Sequence, residues 1–255
     1  MYASTTQTHQ LHTLLVDQGP KSVLFLHGWS CQASDWERTL SALDGDYALM
    51  ALDLPGHGQS EHVTWDDWTI TGLARAAFIA AQEQEAREII LVGHSMGGTV
   101  ALEAARLWAQ TPAAGTVKKV ILVDTFGLPY GDMDADTIAS IEIPFQQNFV
   151  SAMHNLVDNT TTADLTTREW IKQRMASGNP ARMLPLWSDL LRWSPDAAFA
   201  ELTCPIHAIN GEHIPEPARQ RCAPYVKTCV LPATHHFPQF EQPDNFVRTL
   251  RQLLD

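Results

Sequence analysis

The chain has 255 residues, 45% hydrophobic and 18% charged, with Lys+Arg 17 against Asp+Glu 29 and a formal net charge of −12. That composition is globular. It contains no apolar run near the roughly 18 to 20 residues that a membrane helix needs, and its acidic balance repels nucleic acid and anionic membrane surfaces. Cys31, Cys204, Cys222 and Cys229 lack C-x-x-C spacing, which argues against a metal site and fits free thiols, and Met1 to Gly19 lacks the basic and apolar regions of a signal peptide, so a cytoplasmic location is expected.

In chain order, His9 to Val16 reads as a short edge strand. A turn at Gly19-Pro20 then leads into the unbroken apolar run Ser22 to Leu26, a strand buried on both faces. His27-Gly28-Trp29-Ser30 ends that strand, and a helix is predicted near Ala33 to Ala42. Tyr47 to Leu52 is the next buried strand, running into the Gly- and Pro-dense loop Asp53 to Ser60, where His57 reads as scaffold. Asp67 to Ala86 carries Ile70, Leu73, Ala77, Phe78 and Ala81 at helical spacing.

The most informative stretch follows. Ile89 to Val92 is an apolar strand, Gly93-His94-Ser95-Met96-Gly97 a sharp turn, and Thr99, Ala101, Ala104 and Ala105 open a helix that Thr111-Pro112 should end. Strand, tight turn and helix without linker is the setting of a nucleophile elbow, so Ser95 reads as a nucleophile. A phosphate-binding turn is the competing reading, but the turn has no Lys and the chain contains no G-x-x-x-x-G-K-[ST] or G-x-G-x-x-G.

Val117 to Val123 is the next strand and delivers Asp124 at its carboxyl end. From Thr125 to about Ala200 the alternation lapses into helical patterns at Ala135 to Leu156, Thr166 to Ala176 and Met183 to Leu191. Residues 125–200 are therefore read as a helical lid inserted into a core of residues 1–124 and 201–255. Most lid aromatics should pack it onto the body. Phe126, Phe145, Phe149 and Trp187, with Trp29 and Phe237 of the core, are the candidates to line an apolar substrate pocket. Strand character returns at Cys204 to Asn210, a helix follows at Ala218 to Ala223, a last strand at Thr228 to Leu231 and a terminal helix at Asp244 to Leu254.

Alternating strands and helices of this kind imply a mostly parallel sheet, with ligands at the strands' carboxyl ends. His27, Trp29, Asp53, Ser95, Asp124, Glu212 and His236 all fall just after strands. The chain resembles the α/β-hydrolase superfamily, in its branch of small esterase-like enzymes with a helical cap. The resemblance rests on His27-Gly28-Trp29 with Trp36 downstream, Asp53-Leu54-Pro55-Gly56-His57-Gly58-Gln59-Ser60, Gly93-His94-Ser95-Met96-Gly97-Gly98, and His236-Phe237-Pro238 followed by Glu241-Gln242-Pro243.

The resemblance implies that Ser95 is the nucleophile and His236 the general base, with the N–H groups of Trp29 and Met96 as the oxyanion hole. It implies no cofactor and no metal. Pro238 selects His236 over His235, which stands where relatives carry a small residue. The acid departs from the common pattern: the segment Gly211-Glu212-His213-Ile214 has no Asp where most relatives keep one. Asp124 is preferred, because a strand end holds an acid rigidly, and Glu212 is the alternative. The resulting expectation is a serine hydrolase of a small to medium, largely apolar ester, lactone or thioester. Two other readings stay open at this point: C–C bond hydrolase or cofactor-independent dioxygenase chemistry on an aromatic substrate, and a hydrolase-like protein that binds a small molecule without turnover. The sequence leaves oligomeric state open.

Overall fold

The computed structural model describes residues 11–17, 21–43, 45, 47–84 and 87–255. His9, Gln10, the Gly19-Pro20 turn and Ala86 lie outside the described residues. Seven strands form one sheet: β1 (Thr13–Asp17), β2 (Ser22–Leu26), β3 (Ala48–Leu52), β4 (Glu88–His94), β5 (Thr116–Val123), β6 (Ile206–Asn210) and β7 (Val226–Val230). Their spatial order is β1-β3-β2-β4-β5-β6-β7, parallel throughout except for β1, which runs antiparallel to β3 at the edge.

Both faces of the sheet are covered, which is why the central strands read as unbroken apolar runs. Successive side chains alternate between the faces. Val23, Phe25, Ile90, Val92, Ile121 and Val123 pack with residues of α1 (Glu37–Leu43) and α11 (Pro243–Leu254). Leu24, Leu26, Leu91, Val120 and Leu122 pack with residues of α2 (Ile70–Glu83) and α3 (Met96–Gln110). The helix expected at Ala33 to Ala42 opens as a 3-10 turn, Ala33–Trp36, before α1. The one expected at Asp67 begins later because Thr69 caps α2, its side chain accepting from Gly72 N–H.

Between β5 and β6 the regular elements are helices: α4 (Ala135–Gln147), α5 (Phe149–Thr160), α6 (Leu165–Ala176), α7 (Pro180–Arg192) and α8 (Asp196–Glu201). The single pattern read from Ala135 to Leu156 divides at Asn148, whose extended backbone breaks the helix while its side chain accepts from Ser151 N–H to start α5. Pro180 at the first position and the Asn179 cap start α7 three residues before the expected Met183. Helix α8 has too few apolar repeats to be visible in the sequence. After β6 come α9 (Glu216–Cys222), β7 and the short α10 (Pro238–Glu241). Among the described residues no helix is long and apolar enough to cross a membrane.

Helix α3 begins in direct backbone contact with the sheet. A Cβ on Gly97 would lie 2.2 Å from the Leu26 carbonyl oxygen of β2, and one on Gly93 would lie 2.1 Å from the Gly97 carbonyl oxygen. Replacing Gly97 by Ala must push α3 off β2. A loss of about 1–3 kcal/mol in stability is expected, read as a lower urea midpoint at unchanged slope.

Candidate active site

Ser95 sits between the end of β4 and the start of α3 with φ 52° and ψ −122°, a conformation that costs a non-glycine residue on the order of 1–3 kcal/mol. The glycines at 93 and 97 let strand and helix close on each other around it. Its N–H still donates to the Val123 carbonyl at 2.9 Å, so it remains tied to β5. Asp124, the next residue on that neighbouring strand, also has positive φ, at 44°.

The two side chains meet through one imidazole. His236 Nε2 lies 3.0 Å from Ser95 Oγ, and its Nδ1 lies 2.7 Å from Asp124 Oδ1. Because a carboxylate accepts at Nδ1, the proton belongs there and Nε2 is left to accept from the serine hydroxyl. Asp124 is buried, and its second oxygen accepts from Gly211 N–H at 2.7 Å. The His236 backbone is held at both ends: its N–H donates to the Thr160 carbonyl at 3.0 Å and its carbonyl accepts from His94 Nε2 at 2.7 Å.

Glu212 is not part of this line. It is exposed, and its carboxylate accepts from the Ala233 N–H at 3.0 Å. Nor does His235 reach the serine. Its ring stacks on His213 at 4.1 Å between centroids and 15° between planes, and both rings line the cavity in front of Ser95. Burial, with His213 beside it, lowers the His235 pKa. Among the described residues, no group of three or more His, Cys, Asp or Glu is placed to hold a metal ion.

Trp29 follows β2 in a turn closed by Cys31 N–H on the Gly28 carbonyl. Its indole N–H donates to the Met183 carbonyl at 2.9 Å, and its ring stacks on Trp187 at 4.4 Å. Among the described residues the backbone N–H groups of Trp29 and Met96 have no acceptor. For Met96 this follows from its place as the first residue of α3, whose leading amides have no intrahelical partner. Both are therefore free to donate, and Trp29 lines the cavity in front of Ser95.

The cavity in front of Ser95 has a volume of about 180 Å³. Of the six side chains read as pocket lining, Trp29, Phe145, Trp187 and Phe237 line it. Two do not. Phe149 packs edge-on behind Trp29 at 5.9 Å. Phe126 turns toward Trp193 and Phe199 and faces a different cavity, of about 570 Å³ between β6, β7 and α9, which includes neither Ser95 nor His236. Sequence spacing places an aromatic on a helix or loop but not on a particular wall. Leu128, Tyr130, Ile141, Leu156 and Met175 complete the apolar lining, and the sequence did not single them out for that part.

Besides His94, two further histidines support the rim. His27 donates from Nδ1 to the Gly28 carbonyl at 2.8 Å and accepts at Nε2 from Leu54 N–H at 3.0 Å, which spans the two loops after β2 and β3. His57 donates from Nδ1 to the Pro55 carbonyl at 2.9 Å. Asp53 completes the clasp, accepting from the Ala33 and Gln59 N–H groups.

A model of the alpha/beta hydrolase family matches residues 23–249. An uncharacterized hydrolase of Bacillus subtilis is 33% identical over 87 residues, which is 34% of this chain and 32% of that protein. The chain thus spans about a third of the length of that relative, as it does of the Vibrio atlanticus pimeloyl-(acyl-carrier protein) methyl ester esterase, which is 37% identical over 33% of this chain and 30% of that protein. The enzyme of that same name from Nitrosomonas europaea is 25% identical over 93% of this chain and 96% of its own length. In structure, an esterase from Exiguobacterium antarcticum superposes with a TM-score of 0.82 at 15% identity, covering 95% of this chain and 94% of that one. A bromoperoxidase from Bacillus anthracis superposes at 0.79 with 20% identity, covering 96% and 95%. At such identities these two structures share the fold.

The histidines give the fold a pH dependence. Burial lowers His27 from 6.5 to about 4, and lowers His57 and His94 to about 3. Between about pH 6 and 4.5 the unfolded chain binds these three protons and the folded chain does not, so stability falls as pH falls. Asp35, raised by burial to about 6, takes up a proton in the folded state over the same window and offsets one of the three. These four groups leave a net of two protons, and the lowered His207 and His235 act in the same direction, so a loss of at least about 2–3 kcal/mol per pH unit is expected through that window, measured by urea unfolding. A flat profile would contradict the buried neutral state.

Proposed function

The chain belongs to the alpha/beta hydrolase family, and on that premise we propose that it is a serine hydrolase of small to medium, largely apolar carboxylic esters, working through an acyl-serine intermediate. One observation carries the reading: an unbroken hydrogen-bonded line from Ser95 Oγ through His236 to a buried Asp124, opening on an apolar cavity. The ester bond is favoured by the full-length likeness to the Nitrosomonas europaea protein, which is named as a methyl ester esterase.

In this mechanism His236 Nε2 takes the hydroxyl proton as Ser95 Oγ attacks the ester carbonyl. Asp124 holds the Nδ1 proton and stabilises the imidazolium without taking that proton. The tetrahedral oxyanion lies between the N–H groups of Trp29 and Met96, each such donor being worth about 2.7–4 kcal/mol in the transition state. His236 then gives its proton to the departing alkoxide, leaving the acyl group on Ser95. A water molecule repeats the sequence: His236 takes its proton, the oxygen attacks the acyl carbon, and Ser95 leaves with the proton returned.

Helices α4 to α8, which run one residue past the expected bounds of 125–200, are the cap in this reading. They supply Phe145 and Trp187 to the cavity wall, and the indole bond from Trp29 to Met183 ties the oxyanion loop to them.

Nitrophenyl esters of graded acyl length test the proposal. Turnover is expected with the shorter members, with loss of activity in Ser95→Ala and stoichiometric labelling of Ser95 by a fluorophosphonate. No turnover and no labelling would sink it. For the acid, Asp124→Asn should lower kcat by about 10⁴-fold through the wrong imidazole tautomer, whereas Glu212→Gln should change it less than about threefold.

A further inference from the structure

Among the side chains that line the Ser95 cavity, Tyr130 stands out chemically. It follows the β5 strand end by seven positions, on the stretch leading to α4, and is only 3% exposed. Its ring is packed among aromatics, 6.2 Å from both Phe126 and Trp193, with Trp193 edge-on to it. That environment suits a phenylalanine equally well. What distinguishes tyrosine is the hydroxyl, and this one makes no hydrogen bond to any described residue. Neither is it among the polar atoms sealed inside the protein without a partner, and Tyr130 is one of the residues that line the Ser95 cavity.

A hydroxyl in largely apolar surroundings without a partner favours an occupant that can accept from it. The cavity wall that Tyr130 shares is largely apolar, with Leu128, Ile141, Phe145 and Leu156. Apart from the reacting groups and the His213–His235 stack, the cavity offers few polar contacts, so one fixed donor in this wall discriminates strongly between occupants that can and cannot answer it.

We propose that the Tyr130 hydroxyl is a specificity determinant, donating a hydrogen bond to an oxygen acceptor on the non-reacting part of the substrate. The substrate class is then an ester whose apolar chain carries a second oxygen function, such as a ketone or an ether, rather than a plain alkyl ester. Burial pushes the phenol pKa up, so the group remains a donor throughout any neutral or mildly alkaline assay. The inference rests on the hydrolase reading for its kinetic test but not for its binding test.

Matched pairs decide it: nitrophenyl pentanoate with 4-oxopentanoate, nitrophenyl hexanoate with 5-oxohexanoate, and, for the alcohol side, the acetates of butanol and 2-methoxyethanol. The wild-type chain is expected to favour the oxygen-bearing member of at least one pair in kcat/KM, and Tyr130→Phe to lower that preference roughly tenfold. If Tyr130→Phe changes both members of every pair alike, the side chain is only packing and the proposal falls. Should the wild-type chain turn over no ester, the hydrolase reading fails and calorimetry decides Tyr130 alone. Methyl 4-oxopentanoate should bind the Ser95→Ala chain more tightly than methyl pentanoate, and the difference should vanish in Ser95→Ala/Tyr130→Phe. An equal affinity for the two esters in Ser95→Ala overturns it.

Discussion

The site depends on one packing constraint, the contact of the first turn of α3 with the backbones of β2 and β4. No side chain fits between Gly97 and the Leu26 carbonyl, and that closeness forces the chain through a positive φ at Ser95. The rest follows from register. His94 pairs with Val123 across β4 and β5, so Ser95 and Asp124 are neighbours one step beyond the last paired residues. Parallel strands lie roughly 4.8 Å apart, and a single imidazole lowered onto the sheet end spans the two residues. The ring is aimed by its own backbone, fixed to Thr160 on one side and His94 on the other. Within this arrangement the nucleophile, the acid and the Met96 amide need no separate means of placement.

Local signals in the sequence were strong where the fold is regular. Buried parallel strands have no polar face, so β2 to β5 read directly as apolar runs, and the elbow is legible because few backbones other than a strand-turn-helix use glycine on both sides of a serine. Asp124 was legible for a related reason: a carboxylate directly at a strand end has little freedom. The helical segment was less so. Asn148 divides α4 from α5 through its own cap, a choice that competes with continuing the helix and is not expressed in apolar periodicity. Phe126 and Phe149 illustrate the further limit. Helical spacing tells which side of an element is apolar, but whether that side meets a cavity or another ring depends on partners far away in sequence, here Trp193, Phe199 and Trp29.

The buried histidines around the rim work as neutral connectors rather than as acids or bases. An imidazole with one donor and one acceptor can join two loops without carrying charge, as His27 does between Gly28 and Leu54. Serine or asparagine reaches less far, and lysine or arginine would bring a further charge into this buried rim. The same neutrality makes the assembly sensitive to acid, since each ring is charged in the unfolded chain before it is charged in the folded one.

The loop after β6 contributes only a backbone amide to the acid, from Gly211 to Asp124, and none of its side chains touches His236 in the reacting line. It is nonetheless firmly seated: the Glu212 amide donates to the Thr234 carbonyl at 3.0 Å, and His213 lies flat on His235. In the proposed mechanism the acid directly follows β5, so the side chains of residues 212 to 217 are released from the geometric demands of proton transfer, although His213 still lines the Ser95 cavity. In evolutionary terms this is a segment whose sequence can drift, lengthen or be redesigned to admit new substrates at little risk to the chemistry, the reverse of a scaffold in which the same loop must carry both specificity and the acid.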